Sequence, residues 1–151
     1  MREIATLAEL KALAGEEVAV SDWIMIRQGR INLFAEATGD HQWIHIDPEQ
    51  CERESPYGVP IAHGFLTLSL LPVLMQNSIR MGGVRMVVNY GLNKVRFPAP
   101  VPVNSRVRGR IKVLAVEDIE GGAQVTWQVA IEREGGEKPV CVAESIMRRY
   151  D

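Results

Sequence analysis

A carboxylic acid and an imidazole lie close together in a polar segment in the first half of the chain, residues 38–45. They belong to Asp40 and His45. If a loop holds this segment, both side chains can converge on one water molecule. The carboxylate would accept a proton, and the imidazole would orient the water or move charge near neutral pH. On spacing alone a structural interpretation is favoured, in which Asp40 bonds nearby backbone amides and His45 fills a polar niche.

A metal site is the alternative chemistry for the same segment. The possible ligands are Asp40, His41, His45 and Asp47. The His-x-x-x-His spacing brings two imidazoles to one face only on a helix. Gly39 and Pro48 argue against a helix here, and no other ligand cluster occurs along the chain. The sequence therefore predicts no metal site.

A glycine at the start of the most apolar segment is the second chemical feature. Gly64 follows His63 at a predicted helix N-terminus, where N–H groups are unpaired and carry partial positive charge. Without a side chain, Gly64 lets a substrate oxygen approach the backbone, so its N–H could polarise a thioester carbonyl. Taken alone, tight packing explains Gly64 better. His63 is interpreted as a structural or capping residue and not as a catalyst.

Four cations alternate along one predicted strand, at Arg106, Arg108, Arg110 and Lys112. A period of two places them on one strand face. They could meet the phosphates of a coenzyme A carrier. The favoured interpretation is the solvated face of an antiparallel sheet.

Composition limits the classes of function. The chain has 151 residues, 46% of them hydrophobic, and a formal charge of −2. This predicts one globular domain, residues 1–151, with no general attraction to nucleic acid. The longest apolar run, Phe65–Met75, is too short to cross a membrane, and Met1–Glu17 does not resemble a signal peptide. The two cysteines lack Cys-x-x-Cys spacing, which favours a reducing cytoplasm.

Helices in the first half must position these groups. Thr6 is predicted to cap a short helix that runs through Ala14, and a partly alternating segment, Val18–Ile26, is a candidate strand. Apolar spacing predicts a helix over Gly29–Thr38 that ends at Gly39, followed by a loop over Asp40–Ile46. Asp47 and Pro48 predict the start of a helix to about Glu54. Ala62–Ile79 is apolar almost all round, which is typical of a buried helix, and Pro72 should bend or loosen it.

The second half is predicted to form an antiparallel meander. Its strands are Val84–Phe97, Val107–Val116, Val125–Ile131 and Val140–Met147, with glycine pairs at two turns. The expected fold class is α+β, with the sheet wrapped around the long central helix. Such a sheet leaves a long edge, so pairing with a second copy is expected.

Three motifs taken together resemble the MaoC-like, (R)-specific enoyl-CoA hydratases. They are Phe34-Ala35-x-x-Thr38-Gly39-Asp40-x-x-x-x-His45, then Ile61-Ala62-His63-Gly64-Phe65, then Val95-Arg96-Phe97-x-x-Pro100-Val101. They occur in the family's order, and the likeness covers nearly the whole chain from about Ser21. The resemblance implies a dimeric hot-dog fold that hydrates trans-2-enoyl-CoA in a syn sense to the (3R)-hydroxyacyl product. It implies no cofactor, with coenzyme A present only as part of the substrate.

By position, the resemblance assigns Asp40 and His45 as the catalytic pair that holds the attacking water. It assigns Gly64 as the residue whose N–H binds the thioester carbonyl. The expected substrate-binding residues are Gln42, Trp43, Tyr57 and His63.

The chain departs from the family pattern at two places. The family's signature usually reads Asp-x-Asn-Pro-Leu/Ile-His, whereas this chain has Gln42 and Trp43 in the middle. Pro72 stands roughly where many members carry a serine. Acyl-chain preference is therefore open. Two other functions remain open on the same fold: an acyl-CoA thioesterase, and a non-catalytic acyl-thioester-binding or nodulation-type protein.

Overall fold

The computed structural model describes the whole chain, Met1–Asp151. The elements in chain order are β1 (Arg2–Ile4), α1 (Leu7–Ala12), β2 (Glu17–Val20), β3 (Ile24–Ile26), α2 (Gln28–Thr38), α3 (Trp43–Ile46), α4 (Pro48–Glu54), α5 (Gly64–Ser69), α6 (Leu71–Gln76), β4 (Ile79–Met81), β5 (Met86–Arg96), β6 (Ser105–Ile119), β7 (Gly122–Arg133) and β8 (Cys141–Tyr150). None of these helices has the length and apolar character needed to cross a membrane.

A six-stranded antiparallel sheet forms most of the second half. Its strands follow the order β2-β6-β7-β8-β5, and β3 also pairs with β6. The α5–α6 pair packs against one face, where Leu66 and Leu74 join Ile111, Trp127 and Val129 in the core. This is the α+β hot-dog arrangement predicted from the sequence. The four long strands lie where predicted, each with somewhat different ends, and β5 forms one edge.

Alternation along β6 separates a buried face from a charged one. Val107, Ile111 and Val113 are buried, whereas the cations between them point away from the core. Three of those cations pair with carboxylates: Arg106 with Glu134, Arg108 with Glu132, and Arg110 with Glu132 and Glu17. The run is therefore an ion-paired outer sheet face, as favoured from the sequence.

The central helix is shorter than predicted and interrupted. Instead of one helix over Ala62–Ile79, the chain forms α5 and α6, each of six residues, with Leu70 between them. Pro72 lies in the first turn of α6, where its missing N–H leaves no intrahelical bond unmade. After α6, the chain turns out of the helix, and Ile79 begins β4.

A short parallel pair, β1 with β4, was not predicted. Arg2 lies opposite Ile79 and Ile4 opposite Met81, and Ile4 is buried in the core. Three residues carry too little periodicity to reveal a strand, and the pairing joins distant parts of the chain.

The predicted helix ends in the first half are mostly confirmed. The Thr6 side chain accepts a hydrogen bond from the Glu9 N–H, and α2 ends at Gly39, which has φ 80°. The Asp47 carboxylate caps α4 by accepting from the Gln50 N–H at 3.0 Å. Two predictions were wrong. The candidate strand over residues 18–26 is divided into β2 and β3, and the expected loop at 40–46 contains the helical turn α3.

Candidate active site

Asp40 is positioned by the end of α2. Gly39 adopts the left-handed conformation that turns the chain out of the helix, so Asp40 leaves it with an exposed side chain. The Asp40 N–H donates to the Thr38 hydroxyl at 3.4 Å, and the Asp40 carboxylate accepts from the Gln42 N–H at 3.3 Å. The carboxylate is thus oriented by one backbone amide while keeping further acceptor sites free.

His45 is positioned by α3 and the segment before α5. The residue is 7% exposed, and Nδ1 lies 2.7 Å from the Ile61 carbonyl oxygen. Because a carbonyl only accepts, Nδ1 carries the proton and Nε2 has a free lone pair. The Ile61 N–H in turn donates to the Ile44 carbonyl at 3.0 Å, and Gln28 donates to the His45 carbonyl at 2.8 Å. These bonds fix both the backbone and the tautomer of His45.

The protonation state of His45 follows from its surroundings. Burial lowers its pKa below the ordinary value because the charged ring loses hydration, and the neighbouring His63 acts in the same direction. The Ile61 carbonyl and the Asp40 carboxylate oppose this shift. The net lowering keeps the ring neutral at pH 7, as a proton acceptor must be.

The structure brings Asp40, His45 and His63 together. One oxygen or nitrogen from each side chain lies within 4.8 Å of the other two. A water oxygen at about 2.8 Å from each of two acceptors can bridge groups separated by this distance. The carboxylate and the neutral imidazole therefore have the geometry to hold one water molecule between them.

The same three side chains carry atoms that can bind a metal ion. The rings of His45 and His63 are stacked, with centroids 3.8 Å apart and planes 22° apart. Their lone pairs therefore lie in two nearly parallel planes, and a cation at about 2.0–2.1 Å from a nitrogen of each ring could not lie in both planes. The arrangement fits an acid–base pair better than a metal centre. Neither His41 nor Asp47 belongs to the cluster.

Gly64 begins α5, immediately after His63. Its N–H can have no partner within the helix and finds no acceptor in the protein. A Cβ at this position would lie 3.2 Å from the nearest atom of the Phe97 ring, so the absence of a side chain allows this close approach. Gly64 and Phe97 also line a cavity of about 260 Å³.

The cavity at Gly64 has one wall that was predicted and one that was missed. Tyr57, an expected substrate-binding residue, lines it together with the α5 residues Gly64 and Thr67. The opposite wall is Phe97–Val101, a segment that belongs to the third family motif but had been given no role in the site. Asp40 and His45 do not line this cavity. The link between them and Gly64 is His63, next to Gly64 in the chain and stacked on His45.

The other predicted substrate-binding residues do not line the larger cavities. Gln42 acts through its backbone, donating to the Asp40 carboxylate and accepting from the His45 N–H. Trp43 begins α3 and, like Gln42, lines none of the larger cavities. His63 is 2% exposed; its side chain makes no capping bond and instead reaches the Asp40 carbonyl at 3.0 Å. His41 points away and pairs with Glu36 at 3.0 Å.

Two further cavities follow the α5–α6 pair away from Gly64. They have volumes of about 370 and 220 Å³ and share the lining residues Pro72, Asn89 and Met147. On the helical side Leu68 lines the first cavity, Met75 lines the second, and Pro72 lines both. We call these two cavities the helix-side groove; its walls are largely apolar.

Comparison with known proteins gives a consistent result. Residues 9–134 match the family described as MaoC like domain. The 3-hydroxyacyl-thioester dehydratase Z of Mycobacterium tuberculosis is 55% identical over 149 residues, covering 98% of each chain. Nodulation protein N of Rhizobium leguminosarum bv. viciae is 44% identical, covering 97% of this chain and 91% of that one. The unliganded R-hydratase PhaJ1 from Pseudomonas aeruginosa has the same fold, with a TM-score of 0.73 at 21% identity, covering 91% of this chain and 82% of its own.

Proposed function

The chain belongs to the family of MaoC-like domains, and we infer that it is a hydro-lyase that adds water to trans-2-enoyl thioesters with (R) specificity. The reverse reaction is the dehydration of a (3R)-hydroxyacyl thioester. The observation that carries this proposal is the convergence of the Asp40 carboxylate with the imidazole of His45, which is held in the Nδ1-protonated form by Ile61.

The proposed attack begins from a water molecule held by two acceptors. One hydrogen points to the Asp40 carboxylate and the other to Nε2 of His45, which leaves an oxygen lone pair free for the β-carbon. Asp40 is the principal base and takes a proton as the new C–O bond forms. The pair then returns a proton to the α-carbon, so that the elements of one water are added and both groups end in their starting state.

Negative charge that develops on the thioester oxygen must be stabilised by a hydrogen-bond donor. The unpaired N–H of Gly64 is the proposed donor, because it borders a cavity and lies next to a residue that stacks on His45. Losing a preorganised donor of this kind typically costs about 10²–10³ in rate. Tyr57 and Phe97 form the walls beside this oxygen.

The acyl chain is proposed to lie in the helix-side groove. Its lining residues Leu68, Pro72 and Met75 continue along the helix pair that begins at Gly64. Pro72, which takes the place of the family's usual serine, contributes apolar surface there.

We propose that the reaction needs no resident cofactor, because addition of water across an enoyl thioester requires only proton transfer and carbonyl polarisation. Coenzyme A would enter as part of the substrate. Cys51 and Cys141 are both buried free thiols, which supports a cytoplasmic protein.

A homodimer is proposed from the edge strand β5. Its apolar side chains are exposed on both faces of the sheet, and no other strand of this chain covers its outer edge. The exposed residues are Met86, Val87, Val88, Tyr90 and Leu92. A long apolar edge of this kind is normally covered, and a second copy of the chain is the proposed partner.

Incubation with crotonyl-CoA tests the proposed reaction. We expect loss of the enoyl absorbance without release of free thiol, formation of the (3R)-hydroxyacyl product by chiral analysis, and no effect of EDTA. Thiol release without a hydroxyacyl product would instead support a thioesterase. Absence of turnover with a series of enoyl chain lengths would support a binding protein. Either outcome would refute the hydratase assignment.

A further inference from the structure

His63 lies between the two groups of the proposed catalytic pair. Its Nε2 is 3.0 Å from the backbone carbonyl oxygen of Asp40, and its ring stacks on His45 with centroids 3.8 Å apart. The ring of His63 also contacts the ring of Phe34 in α2, with centroids 4.9 Å apart. One side chain at the start of α5 thus connects α2, the Asp40 turn and α3.

The hydrogen bond to Asp40 determines the tautomer of His63. Because the Asp40 carbonyl only accepts, Nε2 of His63 carries the proton. Nδ1 therefore has a lone pair, and this atom is buried without a partner in the protein. An unpaired buried acceptor is unfavourable for folding. The unpaired Nδ1 is therefore a cost of placing a histidine here, which the contacts of the ring with His45 and of Nε2 with Asp40 must offset.

We propose that His63 is a positioning residue, which fixes the distance between Asp40 and His45 by holding the backbone of one and the ring of the other. This inference rests on the proposed function of the pair. His63 acts through these two residues and is not assigned a proton-transfer step of its own.

The stack also has an electrostatic consequence for His45. The groups that act on the pKa of this ring are the Asp40 carboxylate, the Ile61 carbonyl and His63. The charge interaction with His63 lowers the pKa of His45, because a positive charge on this ring is less favourable beside a second imidazole. His63 thereby adds to the effect of burial, which keeps His45 neutral.

Two substitutions separate the two contacts of His63. In His63→Gln the side-chain amide can still donate to the Asp40 carbonyl, but the stacked ring is lost. In His63→Phe the ring stays against His45 and Phe34, but the donor is lost. His41→Gln is the matched control, because His41 is exposed and paired with Glu36 outside the cluster.

We expect His63→Phe to lower kcat by about 10²-fold with little change in KM, since a small displacement of a reacting group has an effect of this size. His63→Gln should lower kcat by a smaller factor. In both variants the acidic limb of the kcat/KM profile should move to higher pH, because the charge interaction with His63 that lowers the pKa of His45 is lost. His41→Gln should leave kcat and the profile unchanged.

Unchanged kcat and pH profiles in both variants would overturn the proposal. A fall in kcat that tracks lost thermal stability, with the acidic limb unmoved, would also overturn it, because that is the result of a merely structural role. If His63→Phe does not fold, His63→Gln and the following measurement still decide.

Imidazole nitrogen NMR of the unliganded wild-type protein tests the arrangement independently of turnover. At neutral pH we expect His63 to be protonated at Nε2 and His45 at Nδ1, with His45 titrating at lower pH than His41. Protonation of His63 at Nδ1 would refute the proposed contact. If these tautomers are found but no enoyl thioester is hydrated, the proposed function fails while the arrangement at His63 stands.

Discussion

The Nδ1 atom of His45 lies 2.7 Å from the carbonyl oxygen of Ile61, and this bond turns a histidine into a directed proton acceptor. Ile61 immediately precedes the segment that carries His63 and Gly64, so the same stretch of backbone that begins α5 also orients the ring. His45 thus has two distinct properties that mutation can test separately. Its Nδ1–H donates to the backbone, and its Nε2 has a free lone pair.

His45→Asn should abolish most activity while leaving the fold intact. The asparagine amide can still donate to the Ile61 carbonyl, but nothing replaces the Nε2 lone pair. We expect kcat to fall by about 10²–10⁴, the usual contribution of an acid–base group, with little change in the thermal midpoint. Steady-state hydration and circular dichroism check this. Wild-type kcat in this variant would remove His45 from the mechanism.

The lowered pKa of His45 predicts a particular pH dependence of activity and stability. The acidic limb of kcat/KM should have its midpoint below about 6.5, the ordinary value for histidine. The unfolded chain binds a proton at His45 more readily than the folded one. Protonation of this site therefore favours unfolding as the pH falls below about 6.5, the ordinary value for histidine. Above it, the ring is neutral in both states and contributes no pH dependence.

Urea unfolding at about pH 7.5 and 5.5 measures this stability effect, because histidine titrates between these values. The wild type should lose more stability on acidification than His45→Asn does. His41 acts in the opposite sense, since its bond to Glu36 raises its pKa, but it is present in both proteins and cancels in the comparison. An equal loss in the two proteins would contradict the prediction.

Asp40→Asn should retain the turn but lose the base. The asparagine oxygen can still accept from the Gln42 N–H, so we expect a near-normal thermal midpoint. The kcat should fall by about 10²–10⁴ because a neutral amide cannot take the proton from water. Asp22→Asn, at another exposed aspartate, is the control and should have wild-type kinetics. Equal kinetics of the two variants would exclude Asp40 as the base.

Gly64→Ala should impair turnover through Phe97. The added Cβ would lie 3.2 Å from the ring, so the ring or α5 must move by a few tenths of an ångström and the cavity wall with it. We expect kcat/KM to fall by about 10- to 100-fold, the range that small displacements produce. Gly29→Ala is the control, because its Cβ meets no atom within 4 Å; there we expect unchanged kinetics and slightly higher stability. Unimpaired turnover by Gly64→Ala would argue against a precise role for this wall.

Val88→Glu should weaken the proposed dimer. Val88 is 42% exposed on the edge strand β5, and a carboxylate there would have to be desolvated on association. Sedimentation should show a shift towards monomer. Val20→Glu introduces the same change at the same exposure, 42%, on the opposite edge strand β2, and should leave the assembly unchanged. If the wild type is itself monomeric, the assignment of β5 as an interface is wrong.

Local rules explain which elements could be predicted. The end of α2 follows from Gly39, and the start of α4 follows from Asp47 and Pro48, because capping and proline geometry act over a few residues. The long strands follow from alternation. The turn α3 was missed because a four-residue helix has no periodicity of its own and depends on the Ile44–Ile61 contact.

The candidate site was predictable only in part for the same reason. Asp40, His45 and Gly64 stand out by residue type, and their family pattern suggested joint roles. No local rule predicts that His63 stacks on His45, or that Phe97 covers Gly64. These contacts join segments far apart in the chain, and they arise from how α5 and the sheet pack together.

The parallel pairing of β1 with β4 bears on the order in which the molecule assembles. Its two strands are separated by about half of the chain, so the pair forms only after a long loop has closed, at a corresponding cost in chain entropy. Hairpins such as β6–β7 close much shorter loops. The amide hydrogens of β1 should therefore exchange with solvent through small openings that leave the central strands protected, which makes this N-terminal strand the first part of the protein to detach and the last to dock.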